Sequence, residues 1–405
     1  MVSGTGTKEK INNSPNLFYR LLMRFVAFVM RIVFGCRLEV LKNVPQPYLL
    51  LSNHNTDFDC VFIGAAARDP LAFVATETIM RMPFWGFIAQ KFFHPIVHNK
   101  GTMGVAISKN IIRTLRGGMS VAMFPEGNRS FSGVTCPIPP ATAKLARASR
   151  STLITYRLEG GYLSYPRWAS GPRRGRINGK LVNVYTPEIL AAMTDAQVQA
   201  VIERDLYVDA YEDQRKRPVA FRGRKMAECL ESTIFMCPAC GKIGTLKSRG
   251  NMVFCECGLK AEYDKFGMLN AVQHPGLDQN SSERRSYTVH ELDRLQRKGL
   301  DDLCRTGGYC SFFEDCVTER FVDENHQVTE SRSIVLKGYI DRFAADGYSI
   351  PFEKITGISI NQRNLLLVHV ADVPGHLEFK GPGTFNALKY LYLYRSVCGS
   401  LNGLL

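Results

Sequence analysis

The sequence predicts an α/β domain with a mixed, largely parallel sheet, followed by a small cysteine-bearing unit and a β-rich C-terminal domain. Three observations carry that prediction. Between Arg37 and about Leu158, strand-like apolar runs alternate with helix-like ones; Cys237 to Cys257 holds four cysteines in two close pairs; and from Tyr309 short alternating strands with turns end in one helix. With 405 residues and 45% hydrophobic content the chain has room for two or three domains, which excludes a disordered class. A net charge of +14 and a pI near 9.2 call for an anionic partner: nucleic acid, a lipid surface or a phosphorylated substrate.

Residues 1–14 are polar and read as loose. Leu17 to Gly35, LFYRLLMRFVAFVMRIVFG, is apolar enough to suggest a membrane span but contains Arg20, Arg24 and Arg31. At 100° per residue these fall within an arc of about 40°. An arginine at a bilayer centre costs about 2.5 to 3.5 kcal/mol, so a helix lying in the interface with this stripe among head groups is favoured over a spanning one. The alternative is an amphipathic helix packed on the protein's own core. The arginines and the lack of a small-residue cleavage pattern argue against a cleaved signal peptide.

In the α/β region, Leu71 to Thr76, His94 to His98, Ser120 to Phe124 and Ser151 to Arg157 read as strands. Phe58 to Ala67, Pro83 to Phe92, Met103 to Arg116 and Ala141 to Ser149 read as helices. Tyr48 to Asp59, YLLLSNHNTDFD, delivers His54 to a strand-to-helix turn, with Asp59 five residues on. If His54 precedes the first helical turn the two side chains meet, and a carboxylate that fixes the imidazole tautomer makes the ring a general base. A plain capping box, Thr56-x-x-Asp59, fits the same residues. After the apolar run Met119 to Met123, Phe124 to Ser130 (FPEGNRS) displays Glu126, Gly127 and Arg129 at a strand end. Glycine permits close approach of a ligand and arginine offers a fork for phosphate; an ordinary Gly-Asn turn is the alternative.

His54-x4-Asp59, followed about seventy residues later by Phe-Pro-Glu126-Gly127-x-Arg129-Ser130, resembles the glycerolipid acyltransferases typified by lysophosphatidic acid acyltransferase. The resemblance covers roughly residues 40–230. It implies transfer of a fatty acyl group from acyl-CoA or an acyl-carrier-protein (acyl-ACP) thioester to the free sn-2 hydroxyl of a lysophospholipid, lysophosphatidic acid above all, with no acyl-enzyme. His54 would be the base, Asp59 its orienter, and Glu126, Gly127 and Arg129 would shape the acceptor-phosphate site. Lys100, after Asn99, stands where the family usually has a phosphate-binding arginine; Thr155 stands at the family's proline and Asn128 at its usual threonine. These departures keep open a different lysolipid or hydroxyl acceptor. A catalytically degenerate scaffold that binds anions or nucleic acid is the alternative from another class, and the intact His54, Asp59, Glu126 and Arg129 count against it. The implied setting is an anionic membrane surface, with the protein peripheral or monotopic on the cytoplasmic face of the cell membrane.

Residues 164–180 carry Arg167, Arg173, Arg174, Arg176 and Lys180 with Trp168 and no acid, which fits a lid or membrane-contacting loop, or equally a solvated basic hairpin. The cluster from Arg215 to Lys225 reads as a solvated face or linker. Cys237-Pro-Ala-Cys240 and Cys255-Glu-Cys257 suit a tetrahedral all-cysteine site for structural Zn2+ and resemble a zinc ribbon, which implies a reducing compartment. The other eight cysteines read as buried apolar residues, and Cys60, beside Asp59, is not needed as a nucleophile. Thr288 to Glu291 forms a capping box opening a helix to about Cys304, and the strands beyond it, closed by a helix from about Thr384 to Val397, resemble a pleckstrin-homology-like domain. The expected boundaries are 1–36 for the N-terminal segment, 37–228 for the α/β domain, 229–272 for the ribbon and 285–405 for the helix and β domain.

Overall fold

The computed structural model describes residues 17–76, 80, 86, 94–98, 105–273, 285–306, 310–324 and 326–402. Asn99 and Lys100, most of the helix expected over 83–92 and the polar bridge at 274–284 lie outside the described residues.

Helix α1 (Leu17–Phe34) leads into a seven-stranded sheet. Its strands are β1 (Cys36–Leu38), β2 (Tyr48–Ser52), β3 (Ala72–Thr76), β4 (Ile96–His98), β5 (Val121–Met123), β6 (Thr152–Glu159) and β7 (Ile177–Tyr185), in the spatial order β1-β7-β6-β2-β5-β3-β4. Only β6 and β7 pair antiparallel, so the sheet is mixed and largely parallel, as expected. Its central strands read as unbroken apolar runs because both faces are covered. Leu49, Leu51, Val121 and Met123 pack with α3 (Val105–Arg116), α4 (Ala141–Ser149) and α5 (Asp195–Leu206) on one face. Leu50, Ala122 and Ile154 pack with α2 (Asp59–Ala67) and the end of α1 on the other. The alternation of side chains along a strand produces this division. Strands β2 and β5 are neighbours in register, Leu49 opposite Val121 and Leu51 opposite Met123, so the loops that follow them leave the sheet side by side at its carboxyl edge.

Beyond the α/β sheet, β8 (Leu246–Arg249), β9 (Met252–Cys255), β10 (Lys260–Tyr263), β11 (Leu269–Gln273) and β12 (Ser286–Tyr287) form an antiparallel sheet. Ser286 and Tyr287, taken from sequence as the start of the C-terminal unit, pair with Asn270 and Leu269 and therefore belong to the ribbon sheet. Both arms of the capping box at Thr288 and Glu291 form, and α6 (Val289–Thr306) follows. A second seven-stranded sheet, antiparallel throughout, contains β13 (Phe313–Val322), β14 (Val328–Gly338), β15 (Arg342–Ala345), β16 (Tyr348–Pro351), β17 (Ile355–Asn361), β18 (Leu365–Val370) and β19 (His376–Lys380). Helix α7 (Ala387–Asn402) packs Tyr390 and Leu391 into the core of this β-rich region.

The structure corrects three expectations. Trp168 is fully buried, edge-on to Tyr263 at 5.3 Å, so its indole does not reach a membrane interface. Arg173 lies over both rings and hydrogen-bonds Tyr263 Oη and Met226 O, while Arg167 donates to the carbonyls of Ile360 and Gln362. Half of the basic loop is thus an internal clamp between the α/β sheet, the ribbon and the C-terminal region; Arg174 and Lys180 remain exposed and Arg176 half-buried. Cys310 and Cys316 are exposed, not buried.

Candidate active site

His54 sits in the turn between β2 and α2, before the first helical residue. Its Nδ1 lies 2.8 Å from Asp59 Oδ2, and its ring stacks on Phe124 at 4.4 Å between centroids. Asp59 is fully buried and accepts three further hydrogen bonds: from Asn55 N at 2.6 Å, Thr56 N at 2.8 Å and Thr56 Oγ1 at 2.7 Å. A carboxylate held in place by three other donors fixes the orientation of the imidazole and favours the tautomer with Nδ1–H toward it. Nε2 is then the basic nitrogen, and it makes no hydrogen bond among the described residues. Helix α2 is capped at Phe58 with no side-chain cap bond, so of the expected capping box only the reach of Asp59 back to Thr56 N is formed, and Asp59 ties down the Thr56 turn and the imidazole together.

That double role separates under mutation. Thr56→Ala removes the Oγ1 bonds with Phe58 N and Asp59 Oδ1 but leaves Asp59 its contacts with His54, Asn55 N and Thr56 N, and is expected to cost about 1 kcal/mol of stability with kcat little changed. Asp59→Asn turns an amide NH₂ toward donors and releases the tautomer, so kcat is expected to fall about 10²- to 10⁴-fold. If Asp59→Asn shifts only the melting temperature, capping is its whole task.

The loop after β5 holds the histidine backbone at both ends. Glu126 Oε1 accepts from His54 N at 2.6 Å, and Ser130 N donates to His54 O at 2.9 Å. Glu126 Oε2 accepts from Cys136 N at 2.6 Å, so this buried carboxyl is a strut between two loops. Burial pushes it up to about 8, against the pull of those two backbone donors. A raised carboxyl favours the neutral form on folding, so its contribution to stability is complete below about 4.3 and drains away as pH rises toward 8. Glu126→Gln should erase that slope and place an NH₂ against a backbone N–H, costing about 1–3 kcal/mol. Thermal melts across pH check both effects; an unaltered slope would show that Glu126 does not titrate in this range. Gly127 takes φ +66°, the left-handed turn that glycine permits, with open space where a side chain would stand. Arg129 is buried, its Nη1 3.0 Å from Asp57 Oδ2, whose side chain is 53% exposed.

The Acyltransferase family model matches residues 35–159, the stretch that contains both loops. This stretch is an acyltransferase domain. Among solved structures, the chain is similar to the 1-acyl-sn-glycerophosphate (LPA) acyltransferase PlsC from Thermotoga maritima, with a TM-score of 0.40 and 17% identity, covering 49% of this chain and 80% of that one. No curated protein matches the sequence.

Within the acyltransferase domain the remaining sequence expectations divide. Burial pushes the Cys60 thiol, on α2, up to about 12, which disfavours the thiolate and agrees with a reaction that needs no cysteine nucleophile. Thr155 is buried and donates at 2.9 Å to Asp205, which also accepts from Asn183, Tyr185 and Arg204. Its departure from the family's proline therefore serves a polar anchor between β6, β7 and α5. Two residues that sequence reasoning passed over fix the turn itself. Asn53 exchanges hydrogen bonds with the backbone of Leu158 at 2.9 and 2.7 Å, and Asn55 donates to Leu158 O at 3.0 Å. The Asn-His-Asn spelling was the available signal. Behind the second loop, burial with Arg129 nearby pushes the Arg167 guanidinium down to about 9.

The four ribbon cysteines converge, with all Sγ atoms within 4.8 Å of one another. Cys237 and Cys257 Sγ are 3.8 Å apart, as are Cys240 and Cys255. Four sulfurs at about 2.3 Å from a tetrahedral ion are separated by about 3.8 Å, so the donor set fits zinc. Ala239 N and Thr245 Oγ1 contact the sulfurs of Cys237 and Cys255 at 3.4 and 3.1 Å, as donors to thiolates do.

Proposed function

We propose that this protein acylates the free sn-2 hydroxyl of lysophosphatidic acid, giving phosphatidic acid, with acyl-CoA or acyl-ACP as donor. The observation that carries the reading is the His54–Asp59 pair, with Nδ1 held and Nε2 left free. Nε2 takes the proton of the acceptor hydroxyl as its oxygen attacks the thioester carbonyl. The tetrahedral intermediate collapses, the C–S bond breaks, and the imidazolium returns the proton to the departing thiolate; an ester and a free thiol result. Arg129 takes the acceptor phosphate in exchange for its exposed partner Asp57, Gly127 lets the phosphate approach the loop, and Lys100 adds a second cation. Glu126 acts behind them as a positioning residue. A structural zinc ion at Cys237, Cys240, Cys255 and Cys257 holds the ribbon and takes no part in acyl transfer.

The setting we assign is the cytoplasmic membrane surface, where the protein is peripheral or monotopic. No helix among the described residues is long and apolar enough to cross a membrane. Helix α1 buries Met23 and Phe34 yet leaves Phe18, Leu21, Phe25, Phe28 and Ile32 at 51–67% exposure. At 100° per residue these occupy an arc of about 80°, bordered by the arginine stripe, and among the described residues only Arg20 of that stripe is paired, with Asp69 at 3.2 Å. Mass spectrometry of products from an acceptor panel tests the assignment: phosphatidic acid should form fastest, and a faster acyl ester from an uncharged acceptor would refute the phosphate role given to Arg129.

A further inference from the structure

Two adjoining cavities, of about 680 and about 370 Å³, run along the sheet edge beneath α1. Both are lined by Phe28, Arg31 and Arg37, so they form one trough. Arg68 enters it from the end of α2, and Arg174 and Arg176 from the loop before β7; Glu39 is the one acidic side chain in the lining. None of these five arginines has an ion-pair partner among the described residues, and Arg68 Nε is buried without a hydrogen-bond partner. The walls are fixed. Arg174 Nε donates to Ile32 O at 3.1 Å, its backbone pairs with Arg222, and Gly35 packs so close that a side chain there would meet Gly175 O at 2.1 Å.

Five guanidinium groups with one carboxylate, Glu39, in the same lining leave an excess of positive charge, and an anion among them relieves the repulsion. The planar guanidinium fork matches phosphate. The ligand also has an apolar part to place, because Phe28 and Ile32 beside the arginines are 60% and 54% exposed. The trough reaches the edge where chemistry is expected. Strand β1 runs parallel to β7 and hence opposite to β2, so Cys36 begins at the edge where β2 delivers His54. Phe34 packs with its ring tilted against Phe58, 5.1 Å between centroids, and Phe58 lies in the turn that carries His54.

We infer that this trough is a docking site for the phosphate head group of an anionic membrane phospholipid, whose acyl chains lie along the exposed face of α1. The inference rests on the membrane-surface reading above and not on the acyl-transfer chemistry. Bound there, the lipid fixes the height of the catalytic edge above the bilayer.

The test is co-sedimentation of the full chain with vesicles of phosphatidylcholine alone or containing phosphatidic acid. A trough variant, Arg37→Gln/Arg174→Gln/Arg176→Gln, is compared with a control, Arg215→Gln/Arg217→Gln/Arg224→Gln, which removes the same charge from exposed positions elsewhere. The trough variant should lose about 10²-fold in affinity for the phosphatidic acid vesicles, while the control stays near wild type. Equal losses would mean bulk charge attraction and would overturn the site. Arg37→Gln alone, at an exposed position, carries the same comparison should the triple variant fold poorly. A further arm adds inorganic phosphate at constant ionic strength. If phosphate displaces wild type from the vesicles and raises its melting temperature, but not that of the trough variant, the site takes free phosphate and the lipid assignment falls. Acyl transfer is not read, so a chain inactive toward every acceptor still passes or fails.

Discussion

His54→Ala is expected to lower acceptor-dependent acyl transfer by about 10²- to 10⁴-fold, the range for loss of a positioned base. The fold should survive. Asp59 keeps its bonds from Asn55 N, Thr56 N and Thr56 Oγ1, so no buried carboxylate is stranded. The backbone N and O of residue 54 keep Glu126 and Ser130 as partners whatever the side chain. The ring's stacking on Phe124 is lost at a partly exposed position, worth about 0.5–1.5 kcal/mol. A variant that melts near wild type and turns over normally would remove the histidine from the chemistry.

Removal of the zinc proposed at Cys237, Cys240, Cys255 and Cys257 is expected to have the largest effect on stability. Elemental analysis should give about one zinc per chain, and Cys237→Ser or chelation should unfold more than the ribbon. The reason lies in packing. Cys237, Cys255, Val253, Leu259 and Tyr263 share one core with Tyr162, Leu163, Trp168 and Tyr211 of the α/β region. A sheet of five short strands has little core of its own, so a metal bound at the four cysteines would supply much of its folding energy. Loss of the ribbon would expose Trp168 and unseat Arg173. Tryptophan fluorescence and the melting profile should therefore change together on chelation; a metal-free chain with unchanged melting would contradict a structural site.

The two loops around His54 are legible in sequence because each is local. An apolar run ends, a short polar motif follows, and neighbouring parallel strands bring the motifs together without distant information. The mixed, largely parallel sheet and the antiparallel C-terminal region follow from hydrophobic period in the same way. What escaped is what depends on distant partners. Arg173 and Trp168 read as part of a lid, a membrane-contacting loop or a solvated hairpin because charge and aromaticity were judged within one loop, whereas Tyr263 and Met226, which bury them, lie far along the chain. Thr155 looked like a defect in a motif until Asp205 appeared as its acceptor. Glu126 read as a ligand-facing acid, and only its two backbone donors reveal a strut. Ser286 and Tyr287 form a strand too short to show a period, and pairing with β11 alone defines it.

The most direct test is release of free thiol from palmitoyl-CoA by the purified full chain, with and without lysophosphatidic acid, and with His54→Ala as control. Release that requires the acceptor and disappears in the variant is the predicted result. No release with any lysophospholipid, even when an acyl-ACP donor is supplied to a folded, zinc-loaded chain, would contradict the account and leave an acyltransferase scaffold that binds anions without performing the reaction.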